Sequence, residues 1–170
     1  MPLPKIVTPT YELELPSSNQ KINFRPFLVK EEKLLVLALE SEDSTQITTA
    51  IKAVISDCIL TKGIKVETLP TFDIEYLFLN IRGKSVGESV DVNVICPDDG
   101  ETEVKVTIEL DDIKVQFDEE HQKTVKLDDQ YYMDMKYPSL DQFIRNNFEF
   151  DSPDMDQSFD LIGSCIEKIY

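Results

Sequence analysis

Apolar positions along this chain change their spacing near residue 89, from a period of about 3.6 to a period of two, which predicts helices before that point and strands after it. A short hairpin comes first. Tyr11–Leu15 and Lys21–Arg25 alternate, and Pro16-Ser-Ser-Asn-Gln20 between them is turn chemistry. Leu34, Leu35, Leu37 and Ala38 predict a helix over 30–40. Ile47, Ala50, Ile51, Val54, Ile55 and Cys58 predict a second, reaching about Leu60, with Asp43 and Gln46 as a weak capping box at its start. The third helix begins at Thr71, after Pro70. It carries Ile74, Leu77, Phe78 and Ile81 on one face and Phe72, Tyr76 and Leu79 on a second. A helix that is apolar on nearly every side is normally buried, so this one is expected to be the spine of the fold. Thr71 is its expected cap, and Gly83 or Gly87 its expected stop. Asp73 and Glu75 suit the positive end of its dipole, and Arg82 and Lys84 the negative end.

Beyond residue 89, Val90, Val92, Val94 and Cys96 alternate with polar residues, interrupted only by Ile95. After the turn Pro97-Asp-Asp-Gly100, Val104, Val106, Ile108 and Leu110 alternate with Glu103, Lys105, Thr107 and Glu109. The pattern predicts an antiparallel hairpin with one buried face. Val115 with Phe117 suggests a third strand, Val125 with Leu127 a fourth, and Tyr131, Met133 and Met135 an extension of the sheet. Helix returns after Pro138 with Leu140, Phe143, Ile144 and Phe148, and Phe159–Ile169 reads as helical or extended. The expected architecture is α+β: a helical N-terminal half with a β-hairpin, then a small antiparallel β-sheet lobe and C-terminal helices. One unit is expected over 1–170, with lobes at 1–88, 89–137 and 138–170, since no Gly/Ser-rich linker splits the chain. The sequence stops at Ile-Glu-Lys-Ile-Tyr170, inside an apolar segment, so the chain is expected either to be cut short there or to pack Tyr170 on a partner.

Charge changes the picture more than composition does. The net charge is −16. Residues 1–88 carry 10 Lys/Arg against 12 Asp/Glu, and 89–170 carry 7 against 21, so nearly all of the excess sits in the second half. Such a surface repels nucleic acid and anionic membrane, and no basic stripe offsets it. No apolar run approaches the ~20 residues of a membrane span, and the start, Met-Pro-Leu-Pro-Lys, lacks the apolar stretch of a signal peptide. Cys58, Cys96 and Cys165 suggest no disulfide framework, which suits a reducing cytoplasm.

The candidate chemistries fail on spacing. Gly83-Lys84-Ser85 has Phe78 and Leu79 in the region where a phosphate loop needs its first Gly, and it ends a helix rather than opening one. Cys96-Pro-Asp-Asp has no second cysteine to make a zinc knuckle. The sole histidine, His121, lies in a charged turn and no nucleophile elbow supports it. None of the Asp clusters has the calcium-loop pattern. Paired carboxylates remain open to a hydrolase reading, although the chain has no Trp to platform a sugar. An acidic regulator or nucleic-acid mimic, binding a basic host protein, is a further alternative. No catalytic, cofactor or metal site is therefore expected. The aromatic and Met residues Tyr131, Tyr132, Met133, Met135, Tyr137, Phe148, Phe150 and Tyr170 are the candidate partner-binding set, because interfaces are enriched in such side chains.

Three stretches add a resemblance: Phe24-Arg-Pro-Phe-Leu-Val-Lys-Glu-Glu-Lys-Leu-Leu35, Ala38-Leu-Glu-Ser-Glu-Asp43 and Phe72–Glu88. With Pro2-Leu-Pro-Lys, Pro9-Thr-Tyr11 and Met135-Lys-Tyr-Pro-Ser139, they resemble the baseplate hub protein family of T-even-type tailed phages, in order and over most of the chain. The resemblance implies a non-enzymatic role in assembling the central hub of the tail baseplate, as assembly factor, chaperone or hub subunit. It implies other hub and tail proteins as partners, with self-association left open. The implied location is the host cytoplasm during assembly, or the virion tail itself. Relatives often carry Cys-Pro-x-Cys where this chain has Cys96-Pro-Asp-Asp, and they tend to run on past this chain's end.

Overall fold

Pro16-Ser-Ser-Asn-Gln20 folds as the turn its residues demand. Asn19 takes a positive φ of 54°, and the Leu15 carbonyl accepts the Asn19 N–H at 2.8 Å. The flanking strands β1 (Tyr11–Glu14) and β2 (Lys21–Phe24) pair antiparallel, which puts Ile22 and Phe24 into the core. The structure, a computed structural model, describes residues 7–118, 120–145 and 155–170. Its α+β architecture has helices and a hairpin in the N-terminal half, then small antiparallel sheets. The chain divides into two compact units, Met1–Ile64 with Glu75–Val115, and Lys65–Ile74 with Gln116–Tyr170.

In the first unit, α1 (Val29–Glu40) and α2 (Ser44–Cys58) follow the hairpin. The Asp43 carboxylate caps α2, accepting the N–H groups of Thr45 at 2.8 Å and Gln46 at 3.3 Å, while the Gln46 amide returns to it at 3.1 Å. Ala50, Val54, Ile55 and Cys58 face inward at helical spacing. The chain then rejoins β2: Leu60 N–H donates to Asn23 O at 2.8 Å, and Arg25 N–H to Cys58 O at 3.0 Å. The spine is α3 (Thr71–Val86), and only Glu75 and Val86 along it are exposed. Leu77 and Ile81 are fully buried with Leu15, Ile22, Val54 and Ile55.

The ends of α3 differ in part from expectation. Thr71 lies inside the helix, and its buried hydroxyl has no partner among the described residues; the Pro70 carbonyl instead takes the N–H groups of Asp73 and Ile74 at 3.1 and 3.2 Å. At the other end Gly87 is the stop, with a φ of 149° that a side chain would resist. Gly83 stays helical, with Leu110 packed over it.

Two strands of equal length follow, β3 (Ser89–Ile95) and β4 (Glu103–Glu109), in the predicted register-locked hairpin. The turn is closed by Cys96 N–H to Thr102 O at 2.8 Å and Gly100 N–H to Cys96 O at 2.9 Å. Gly100 has a φ of 70° with open space around it. Gly100→Ala is therefore expected to cost about 1 kcal/mol through backbone strain alone, read as faster amide hydrogen exchange along β3 and β4. The Asp99 carboxyl is held down at about 2 by the Thr102 hydroxyl, and by the Thr102 and Glu101 N–H groups.

The second unit holds β5 (Thr124–Lys126), β6 (Tyr132–Met135), α4 (Leu140–Arg145), α5 (Met155–Ser164) and β7 (Ile166–Ile169). Its sheet order is β5-β6-β7, antiparallel throughout. Ser139 and Gln142 form a reciprocal capping box at the start of α4, with Ser139 N–H donating to Gln142 Oε1 at 2.9 Å. One expectation changes here, and one open reading is resolved. Val115 and Phe117 form no strand; Phe117 packs edge-on against Phe72 at 5.8 Å instead. The segment 159–169, read as helical or extended, is both, with the strand half completing the sheet.

Candidate interaction surfaces

The ribbon β3–β4 has two faces with opposite character. On one, Lys105 pairs with Asp91 at 2.8 Å, Thr107 donates to Asp91 at 2.7 Å, and Asn93 reaches Glu103 at 3.5 Å. These bonds hold the Asp91 carboxyl below its usual range, Lys105 contributing most. On the other face the register sets Val90 opposite Ile108, Val92 opposite Val106, and Val94 opposite Val104. Alternation predicts such a stripe, but among the described residues it is left partly open: Val90 and Val92 are half-buried, while Val94, Val104, Val106 and Ile108 are 38–50% exposed. The expected burial of this face is thus corrected. The ribbon is a two-stranded sheet by itself, separate from β5-β6-β7.

The first helix repeats the theme. Leu34–Leu39 is six apolar residues in succession, more than one stripe can bury. Ala38 is buried and Leu35 half-buried, while Leu34, Val36, Leu37 and Leu39 are exposed. In the second unit α5 leaves Met155, Phe159 and Ile162 exposed at helical spacing. Of these faces, the exposed one on α1 went unmarked in the sequence reading. The unbroken apolar run in α1 was the available signal.

The predicted aromatic set divides between two places. Tyr132 and Tyr170 pair across β6 and β7, exchanging N–H···O bonds at 2.9 and 3.0 Å, with rings stacked at 6.2 Å. Tyr131 is exposed beside them, and Met133 and Met135 are half-buried in β6. Tyr137 belongs elsewhere. Its ring meets Phe72 edge-on at 4.8 Å and stacks on His121 at 5.5 Å, and its hydroxyl lies 2.8 Å from His121 Nε2. The histidine read as a solvated turn residue is thus an exposed member of an aromatic cluster with Phe72, Phe117 and Tyr137. Phe148 and Phe150 lie outside the described residues.

Charged groups elsewhere are arranged for structure. Glu31 is buried, and its Oε1 takes Arg25 at 2.9 Å and Lys30 at 3.0 Å, while its Oε2 accepts the Leu28 N–H at 2.8 Å. Burial pushes this carboxyl up, but the bonds from Arg25, Lys30 and Leu28 outweigh it and hold the group at about 2. Burial pushes the Cys58 thiol up to about 11, so it has the character of a packed core group rather than a nucleophile. Among the described residues no group of three or more His, Cys, Asp or Glu is placed to hold a metal, and no helix is long and apolar enough to cross a membrane.

Known proteins give one match and two blanks. No curated protein and no solved structure matches the chain. The family described as T4 bacteriophage base plate protein matches residues 8–170. With all but the first seven residues covered, the chain belongs to the family of T4 bacteriophage base plate proteins.

Proposed function

We propose that this chain works without catalysis in building the central hub of the baseplate, as assembly factor or hub subunit, by docking other hub proteins on its apolar faces. The observation that carries the reading is the half-exposed valine stripe of β3–β4, in a chain of a baseplate family. A row of half-exposed Val and Ile is a cost to a lone protein and a gain once a partner covers it, at about 25 cal/mol per Å² removed from water. The partner's chemistry follows from charge. Glu88, Asp98, Asp99, Glu101, Asp111 and Asp112 flank the ends of the two strands, so a partner with an apolar strip rimmed by Lys and Arg is favoured. A second copy would bring the same −16 to the contact, which disfavours self-association. Nucleic acid and anionic membrane are disfavoured for the same reason. The chain would be made in the host cytoplasm and meet its partners there, before or as the tail is completed.

A hydrolase would need one carboxyl raised toward neutrality. Among the described residues Glu31, Asp43, Asp91 and Asp99 are held below their usual range, so none of these four is such a raised acid. The test uses the purified chain, immobilised, against each purified hub protein of the same phage. At least one is expected to be retained, less strongly as salt rises from about 0.05 to about 0.5 M and screens the acidic rim. Retention of none at either salt would end the proposal. Binding only to itself would replace the docking partner with a second copy.

A further inference from the structure

The first unit contains a second apolar recess, separate from the ribbon. It is a groove of about 280 Å³ between α1, α2 and α3, lined by Leu35 and Leu39 from α1, Ile47 and Ile51 from α2, and Phe78 and Arg82 from α3. Arg82 is the one charged residue in that lining. Its Nη1 is buried and meets no acceptor among the described residues. The contrast with its neighbours is sharp. Lys84, two residues on, reaches Glu88 at 2.5 Å and Asp111 at 3.5 Å. Arg25 finds Glu31 and the carbonyls of Pro26 and Asp57. In a chain with 33 acids and 17 bases, a buried guanidinium nitrogen that meets no acceptor among the described residues stands out, because a buried donor without a partner costs stability.

We propose that this groove receives an apolar segment of a partner protein that also carries a carboxylate, and that the carboxylate pairs with Arg82. The inference rests on the reading that the chain docks other proteins, but it uses a different surface and the opposite charge. Leu, Ile and Phe side chains supply the burial. The planar guanidinium, with its five N–H donors, supplies orientation, since a carboxylate can meet it through two parallel bonds. Groove walls made of three helices suit a helical ligand whose anchors recur at helical spacing. A nucleotide or a free phosphate would meet the same cation, but would leave the surrounding Leu and Ile wall uncovered. The local charge is permissive, because the acidic excess lies in residues 89–170 and not in 1–88.

The experiment arrays overlapping 20-residue peptides covering the other baseplate proteins of the same phage, and probes them with the full chain and with Arg82→Met. Methionine keeps the apolar stem and removes the donors. A subset of peptides is expected to bind the unaltered chain and to bind R82M at least tenfold more weakly. Asn or Gln in place of the Asp or Glu of those peptides should reproduce the loss. R82M should melt at the same temperature or higher, because an unpaired buried donor has been removed. Leu39→Glu, an exposed position on the groove wall, provides a second variant that sets a like charge against the incoming carboxylate and should lose the same peptides. Equal retention of every peptide by the unaltered chain and R82M would overturn the proposal, and so would retention of none. Val106→Asp on the ribbon should leave the array unchanged. Loss of hub-protein capture by V106D with an intact array therefore bears on the ribbon alone, and intact capture without an R82-dependent peptide bears on the groove alone.

Discussion

Glu31→Ala is expected to destabilise the first unit by about 3–5 kcal/mol, the usual cost of stripping one partner from a buried charge pair. Its side chain is 3% exposed and that of Arg25 13%, so the guanidinium left behind has little access to water. The carboxylate also holds the entry to α1 through the Leu28 N–H, so a helix cap is lost with the ion pair. Acid titration gives an independent measure of the same interaction. The Glu31 carboxyl lies at about 2 in the folded chain against a reference of 4.5. A depressed folded value means stabilisation that is complete above pH ~4.5 and lost as pH falls toward ~2, worth roughly 3 kcal/mol at about 1.4 kcal/mol per unit. Urea unfolding at pH 7 should show the full difference between the unaltered chain and E31A, and the two should converge near pH 2–3. Glu31→Gln keeps an acceptor for Leu28 but not the charge, and should fall between them. Equal stabilities at pH 7 would show that the Arg25–Glu31 pair is idle.

That pair was invisible in the sequence, because Arg25 and Glu31 belong to different elements and only the fold brings them together. What was legible was local. The spacing of Ile47, Ala50, Ile51, Val54, Ile55 and Cys58 contained α2, and the Asp43/Gln46 pair contained its cap. The all-round apolarity of 71–86 announced a buried helix, and α3 is one. Alternation placed Val92 and Val106 on one face, but it reports that a face is apolar, not that the same chain covers it. The expected burial of the ribbon failed for that reason. Residues 159–169 were ambiguous because a short apolar run suits helix or strand equally. The choice was made by pairing with β6, about thirty residues earlier in the chain. The candidate surfaces follow the same division. Tyr132 and Tyr170 were marked by residue type alone, while their pairing is a property of the sheet. The Arg82 groove needs three helices to exist and left no local signal.

Val106→Asp should separate folding from docking, and its functional effect is expected to be the largest of any substitution on the surface. Val106 sits at the centre of the stripe, opposite Val92 and flanked along its own strand by Val104 and Ile108. It is 40% exposed in the chain alone, so a carboxylate there stays in water. The cost to folding should be no more than about 1 kcal/mol, mostly lost strand propensity. In a complex the same carboxylate would be desolvated against apolar groups, and central interface positions typically carry 2 kcal/mol or more. Capture of a hub protein should therefore weaken at least about thirtyfold. Phage lacking the gene and supplied with V106D should yield far fewer finished tails than phage supplied with the unaltered protein. Val106→Thr, which keeps the branched shape and the strand preference, should retain most of the activity. Lys105→Ala, on the polar face of the same strand, should retain it as well, because that face already satisfies itself through Asp91 and Thr107. The opposite ranking, with K105A defective and V106D fully active, would place the contact on the polar face and leave the valine stripe without a function.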